Sequence, residues 1–345
     1  MPTHFSVLPL FTILFMWASG ACASDKVNNA EGDSSILPQI EVFDTKALNL
    51  IDPNANISIR SKGYGWSEGP LWIEQGQYLL FSDIRSNQIF KFHPQTGTSV
   101  YLAPAGATGW VEGDYAEGPN GLLLSPDGQL VIMQQGDRRI AVMDAPLTTP
   151  QPKFVTLAAE YQGKRLNSPN DGVYDSKGNL YFSDPPYGLK KGMDDSRKQL
   201  PFQGIYLLKA NGELVLLDDS VNLPNGVVLT ADGKMLIVSV SDPKHARWIA
   251  YDVQADGTIV NKRMFYDASD LVGKKGEQGL PDGFALHSSG LIFATGPGGV
   301  WLFEQTGKVL AKIRTGQISS NCALTSDEKT LYITTPHYLM SVSLR

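Results

Sequence analysis

The stretch Asn167–Gly188, NSPNDGVYDSKGNLYFSDPPYG, decides the fold. It opens on a polar turn, Ser168-Pro169-Asn170-Asp171-Gly172, which sets two polar side chains next to each other. A short alternating segment leads into a second turn, Ser176-Lys177-Gly178-Asn179, and the apolar run Leu180-Tyr181-Phe182 follows until Asp184-Pro185-Pro186 stops it. Turn chemistry set between two strand-like runs predicts a β-hairpin. The chain writes this phrase six times.

The first copy is Trp66-Ser67-Glu68-Gly69-Pro70-Leu71-Trp72, followed by Tyr78–Asp83. The second is Glu117-Gly118-Pro119-Asn120-Gly121-Leu122, and the opening stretch is the third. The fourth is Leu223-Pro224-Asn225-Gly226-Val227, the fifth Leu280-Pro281-Asp282-Gly283-Phe284, and the sixth Ser320-Asn321-Cys322-Ala323-Leu324. Each leads into a second apolar run. Recurrence every 40 to 57 residues or so is the spacing of propeller blades. Further strand-like runs between copies, such as Gln88–Phe92 and Gly204–Leu208, bring each repeat to four strands. No long segment carries 3.6-residue apolar periodicity. The expectation is an all-β, six-bladed β-propeller over residues 38–345, forming one domain, with the early strand Ile40–Phe43 completing the last blade.

Composition narrows the function. A net charge of −6, with no Lys/Arg run long enough to form a basic stripe, argues against nucleic acid as a partner. The apolar run Phe5–Trp17 is short for a membrane span and has the length of a signal-peptide core, so residues 1–23 are expected to be an export signal. Two processing outcomes follow from the residues. Ala21-Cys22-Ala23 fits a small-residue cleavage site, whereas Ser19-Gly20-Ala21-Cys22 resembles a bacterial lipobox in which Cys22 carries a lipid anchor. Residues 24–37 are poor in apolar side chains and read as a flexible tether. With Cys22 removed or lipidated, Cys322 has no partner and reads as a small buried hydrophobe.

In a propeller the innermost strand of each blade lines the central channel, so the turn leading into it stands at one mouth of that channel. Glu68, Asn120, Asn170, Asn225, Asp282 and Asn321 then recur at one level. Carboxylate and amide oxygens, without His or Cys among them, select a hard cation. Ca²⁺ fits best and Mg²⁺ is the alternative. His93, His245, His287 and His337 occur singly, without zinc-ligand spacing.

These motifs resemble those of the senescence marker protein/gluconolactonase family, six-bladed propellers that include regucalcin-type lactonases and bacterial gluconolactonases. The resemblance spans essentially the whole chain after residue 37, and the Asn-Ser-Pro-Asn-Asp and Asp-Pro-Pro-Tyr-Gly pair is most similar to the bacterial gluconolactonases. It implies one divalent cation, usually calcium. Glu68, Asn225 and Asp282 match the core metal ligands, Asn170 a position that contacts metal or substrate, and Asp282 the catalytic acid/base. Regucalcin-type members carry an Arg where Ser168 stands, so their sugar recognition does not transfer.

The expected activity is calcium-dependent hydrolysis of a sugar lactone such as glucono-1,5-lactone by an exported enzyme. Asn120, Asn170, Asp171, Asp184, Tyr187 and Glu117 are the candidate substrate contacts, and Asp171, Glu117 and Asp184 are alternative bases. The loops Gly106–Glu117, Leu189–Phe202 and Leu271–Leu280 are expected over the same mouth. A phosphotriesterase or arylesterase on a similar propeller, and a non-catalytic binding propeller with a structural calcium, are the competing readings.

Overall fold

The computed structural model describes residues 38–111 and 117–345. The signal segment, the tether, Asp114 and Tyr115 lie outside the described residues. Six antiparallel sheets, four of them built from consecutive strands alone, account for nearly all the regular structure. Blade one is Ser67–Ile73, Tyr78–Asp83, Gln88–His93 and Gly97–Leu102, and the other blades follow the same order from inside outward. Inner strands touch in cyclic order, the sixth returning to the first. The protein is a six-bladed β-propeller. Among the described residues the only helices are short 3-10 turns, and none is long and apolar enough to cross a membrane.

The second strand of each blade explains why the sequence showed unbroken apolar runs. Tyr78–Asp83 is buried at all six positions because blades cover both of its faces. Between blades three and four, Tyr181, Ile205 and Leu207 meet Val227, Leu229, Leu236 and Val238 in one apolar layer. Each fully buried aliphatic side chain of this kind contributes about 1.5–3 kcal/mol, so the inter-blade layers hold the ring together.

Ring closure differs from the sequence expectation. Gln39–Val42 does not complete the sixth blade: it pairs antiparallel with Val309–Arg314 as a fifth strand of blade five. The sixth blade is completed by Ile57–Lys62, which pairs with Tyr338–Ser343. The physical reason is reach. Asp44–Leu50 forms a capped 3-10 turn against blade five, and only the chain beyond it arrives beside the last strand.

Candidate active site at the channel mouth

The turns at the mouth are held by one device, used repeatedly. The Ser82 hydroxyl of blade one donates to Asn120 O of blade two at 2.6 Å, and the Ser239 hydroxyl of blade four donates to Asp282 O of blade five at 2.5 Å. Each ring residue is thus fixed by the neighbouring blade. The glycine that follows it allows backbones to touch: a Cβ at Gly69 would stand 2.2 Å from Asn120 O, and one at Gly226 2.2 Å from Asp282 O. Gly121 faces Asp171 as Gly69 faces Gly121, so in blade three Asp171 stands where blades one, two, four and five have glycine, and Cys322 stands there in blade six. Asn170 therefore keeps the level of Glu68 and Asn120.

Glu68, Asn120, Asn170, Asn225 and Asp282 line a single cavity of about 710 Å³, together with Glu117 and Tyr187. Asn321 is not on its wall. It sits lower, under Gly283, with its amide oxygen accepting Cys322 N–H at 2.8 Å and its side chain against Glu68 and Asp171. Asp171 also lies below the mouth. Its carboxylate accepts Gly172 N–H at 2.8 Å, and burial raises its pKa to about 6. Cys322 is buried and free, as a small hydrophobe.

Asp184 is likewise absent from the cavity wall. It is fully buried, and its two oxygens accept Asn167 N–H at 2.7 Å and Ser168 N–H at 2.8 Å. Asp83 does the same in blade one for Gly65 and Trp66. Asp184 is a brace for the turn that presents Asn170, and it is not among the residues that line the cavity.

The electrostatics of the mouth are lopsided. Burial, then the charge of Glu68 and of Asp171, pushes Asp282 well above the ordinary carboxylate range. Burial raises Glu68 to about 8, against the Gly69 N–H that donates to its Oε2 at 3.2 Å. No donor among the described residues bonds to the Asp282 carboxylate. Asn225 donates its amide nitrogen to Ser241 Oγ at 2.9 Å, which leaves the amide oxygen for a ligand. Among the described residues no three His, Cys, Asp or Glu side chains cluster to hold a metal. The donor set is instead two carboxylates supplemented by amide oxygens, with surplus negative charge and no histidine. That chemistry fits a hard dication.

Glu117 is different. It is pushed up to about 7 by burial, although Arg85 Nη1 bonds to it at 2.5 Å and opposes the shift. Tyr187 has its phenol raised by burial and by the nearby Asp282 charge. Of the three expected loops, only Leu271–Leu280 contributes a broad stretch of wall, and Leu189–Phe202 contributes none. Trp110 turns away to Arg139 and Arg165, whose guanidinium carbons lie 4.4 and 5.0 Å from its ring centre. Wall residues that sequence reasoning missed include Gln135, Ser241 and Pro243. All follow the end of a second strand, so extending the repeat register past each strand would have found them. A smaller cavity of about 310 Å³, at the hairpin end of blades one and six, contains none of the ring residues.

Residues 66–337 match the model of the SMP-30/Gluconolactonase/LRE-like region. The chain belongs to this family. A gluconolactonase of Zymomonas mobilis is 33% identical over 91% of this chain and 88% of its own length. Within the family's solved structures, a gluconolactonase of Xanthomonas campestris superposes with a TM-score of 0.77 at 25% identity, covering 91% of this chain and 96% of that one. A calcium-binding regucalcin of Agrobacterium tumefaciens shares the family fold, with a TM-score of 0.61 at 18% identity over 82% of this chain and 92% of its own.

Proposed function

We propose that this chain is a divalent-cation-dependent lactonase that opens a sugar lactone, such as glucono-1,5-lactone, to the aldonic acid. The observation that carries the reading is the meeting of Glu68 and Asp282 at the channel mouth, where burial raises the proton affinity of both carboxylates and the Glu68 charge raises that of Asp282 further. Glu68, Asn170, Asn225 and Asp282 would hold the cation, with Ca²⁺ as the first choice and Mg²⁺ as the alternative. When bound, it supplies Lewis-acid polarisation of a lactone carbonyl and a stabilising charge for the oxyanion. The gluconolactonase relatives support the substrate class, and the calcium-binding regucalcin supports the metal.

The chain's own residues carry the proton. Asp282 takes a proton from the attacking water as the water oxygen bonds to the carbonyl carbon. The ring C–O bond then breaks, and the same proton passes to the departing ring oxygen. A carboxylic acid and a free hydroxyl result, so atoms balance with water as the only co-reactant. Asn120, Tyr187 and Glu117 offer hydrogen bonds to the sugar hydroxyls from the cavity wall. Asp171 stands beside Glu68, the two sharing the Asn321 amide.

We also propose that residues 1–23 export the protein to the bacterial periplasm or its membrane surface, that 24–37 tether it, and that 38–345 are one catalytic unit. The mass of the mature N-terminus separates cleavage after Ala23 from lipidation at Cys22. The activity is tested by following acid release from aldonolactones, a homoserine lactone and an aryl ester, each with and without EDTA and against the spontaneous rate. Aldonolactone turnover that EDTA abolishes is expected. Preference for the aryl ester, or calcium stabilisation without turnover, would move the protein to one of the competing readings. Near-normal turnover by Asp282→Asn with calcium bound would remove Asp282 as the base.

A further inference from the structure

One wall of the cavity, residues 272–280, is made of turns. Gly273, Gly276 and Gly279 all take positive φ, and Val272, Lys274, Glu277 and Leu280 from this segment line the cavity. Such a loop has little order of its own, so its fastening sets the shape of the pocket.

The fastening is an ion cluster on blade five. Glu277 Oε1 accepts Arg314 Nη2 at 2.8 Å, and Glu277 Oε2 pairs with the Lys312 ammonium. Arg314 Nη1 donates to Gly276 O at 3.1 Å, and Arg314 Nε meets Glu41 Oε1 at 2.8 Å. Glu41 lies on the extra strand Gln39–Val42, directly opposite Lys312 in register. The Lys312 side chain is only 2% exposed and lies 4.2 Å from the centre of the Trp301 ring. Gly298 makes the space, since a Cβ there would fall within 2.5 to 2.8 Å of Glu277 Oε2, Arg314 Nη1 and Lys312 Nζ. Two anions therefore flank two cations, from the outermost strand inward to the pocket loop. Both Glu277 oxygens are engaged in this cluster, so blade five holds Glu277 in place at the wall.

We infer that Glu277 is a positioning residue for substrate, and that the strand Gln39–Val42 belongs, through Glu41 and Arg314, to the support of the pocket. The inference rests on reading the cavity as the lactone site. Blade five would form a complete four-stranded sheet without this strand, as its siblings do. On this reading its role is to hold Arg314.

The test uses the full chain and the variants Glu277→Gln, Glu277→Asp and Glu41→Gln. Steady-state kinetics on glucono-1,5-lactone, Ca²⁺ affinity by calorimetry, and amide hydrogen exchange are measured on each. Glu277→Gln is expected to raise KM about tenfold with kcat within about twofold, because a displaced wall weakens binding without touching the reacting atoms. Its Ca²⁺ Kd stays at the wild-type value, and exchange accelerates within 272–280 only. Glu277→Asp restores part of the KM, and Glu41→Gln raises it about threefold. A parallel loss of kcat and Ca²⁺ affinity, or wild-type exchange in 272–280, overturns the inference. Should Glu277→Gln fail to fold, Glu41→Gln decides: unchanged KM and unchanged exchange refute the support role. Should the wild type turn over no lactone, the proposed function fails, while hydrogen exchange still judges the fastening.

Discussion

Glu68 on blade one and Asp282 on blade five face the same channel mouth, where burial raises both carboxylates and the Glu68 charge raises Asp282 further. Both folded pKa values lie above the unfolded ones, so the folded metal-free protein binds more protons than the unfolded chain. The stability that this pair contributes is fully present below the ordinary carboxylate range and is lost as pH rises through about 8, the value for Glu68. Thermal denaturation in EDTA is expected to show Tm falling between about pH 5 and pH 8.5. Millimolar Ca²⁺ restores most of that loss at the upper end, and Asp282→Asn flattens the EDTA curve. A Tm at pH 8 indifferent to divalent cations would count against a metal at this mouth.

Asp184 gives a stability prediction rather than a kinetic one. Its replacement by Ala strands two buried backbone N–H groups, which costs about 2–4 kcal/mol. Urea unfolding should show this loss, while KM per folded molecule stays near the wild-type value because the carboxylate does not reach the cavity. Asp83→Ala should follow the same pattern in blade one.

Glu117 predicts a pH dependence. Its ionisation near pH 7 places an inflection in kcat/KM there, with activity rising as the carboxylate becomes an acceptor for sugar hydroxyls. Arg85 lowers that pKa, so Arg85→Met moves the inflection upward and Glu117→Gln removes it. The pH–rate profile, corrected for spontaneous hydrolysis, reads both.

Gly226→Ala tests the close approach of blades four and five. The added methyl would lie 2.2 Å from Asp282 O, so the backbone carrying Asp282 must shift. A loss of Ca²⁺ affinity of about tenfold or more is expected by calorimetry, since a ligand displaced by a fraction of an ångström no longer closes the site. Unchanged affinity would mean that the ring tolerates the shift.

The blade count was legible because each inner strand begins with the same turn chemistry, and Pro119-Asn120, Pro169-Asn170, Pro224-Asn225 and Pro281-Asp282 mark one register. That register carried Glu68, Asn120, Asn170, Asn225 and Asp282 to one cavity wall, past the Asp171 that replaces a glycine, whereas Asn321 lies off that wall. Strand partners were less legible. The alternation in Gln39–Val42 shows that it is a strand but not which edge it joins, and Ile57–Lys62 is too polar to stand out. The role of Asp184 was written in the sequence and overlooked: Phe81-Ser82-Asp83 and Phe182-Ser183-Asp184 are the same ending, and each Asp braces the turn before its own blade. Charge partners such as Glu277 and Arg314, 37 residues apart, left no periodic trace at all.

The pairing of Ile57–Lys62 with Tyr338–Ser343 makes the ring a buckle whose tongue is synthesised before any complete blade and whose catch is the last of the propeller strands. Until the final strand leaves the ribosome, blade six lacks both of its outer strands and the apolar sides of its neighbours stay open. Such non-local pairing is slow to form and exposes strand edges to other chains in the meantime. A nascent propeller of this topology therefore stays unsealed until Tyr338–Ser343 is made, and loss of that one strand would undo a ring whose other five blades are intact.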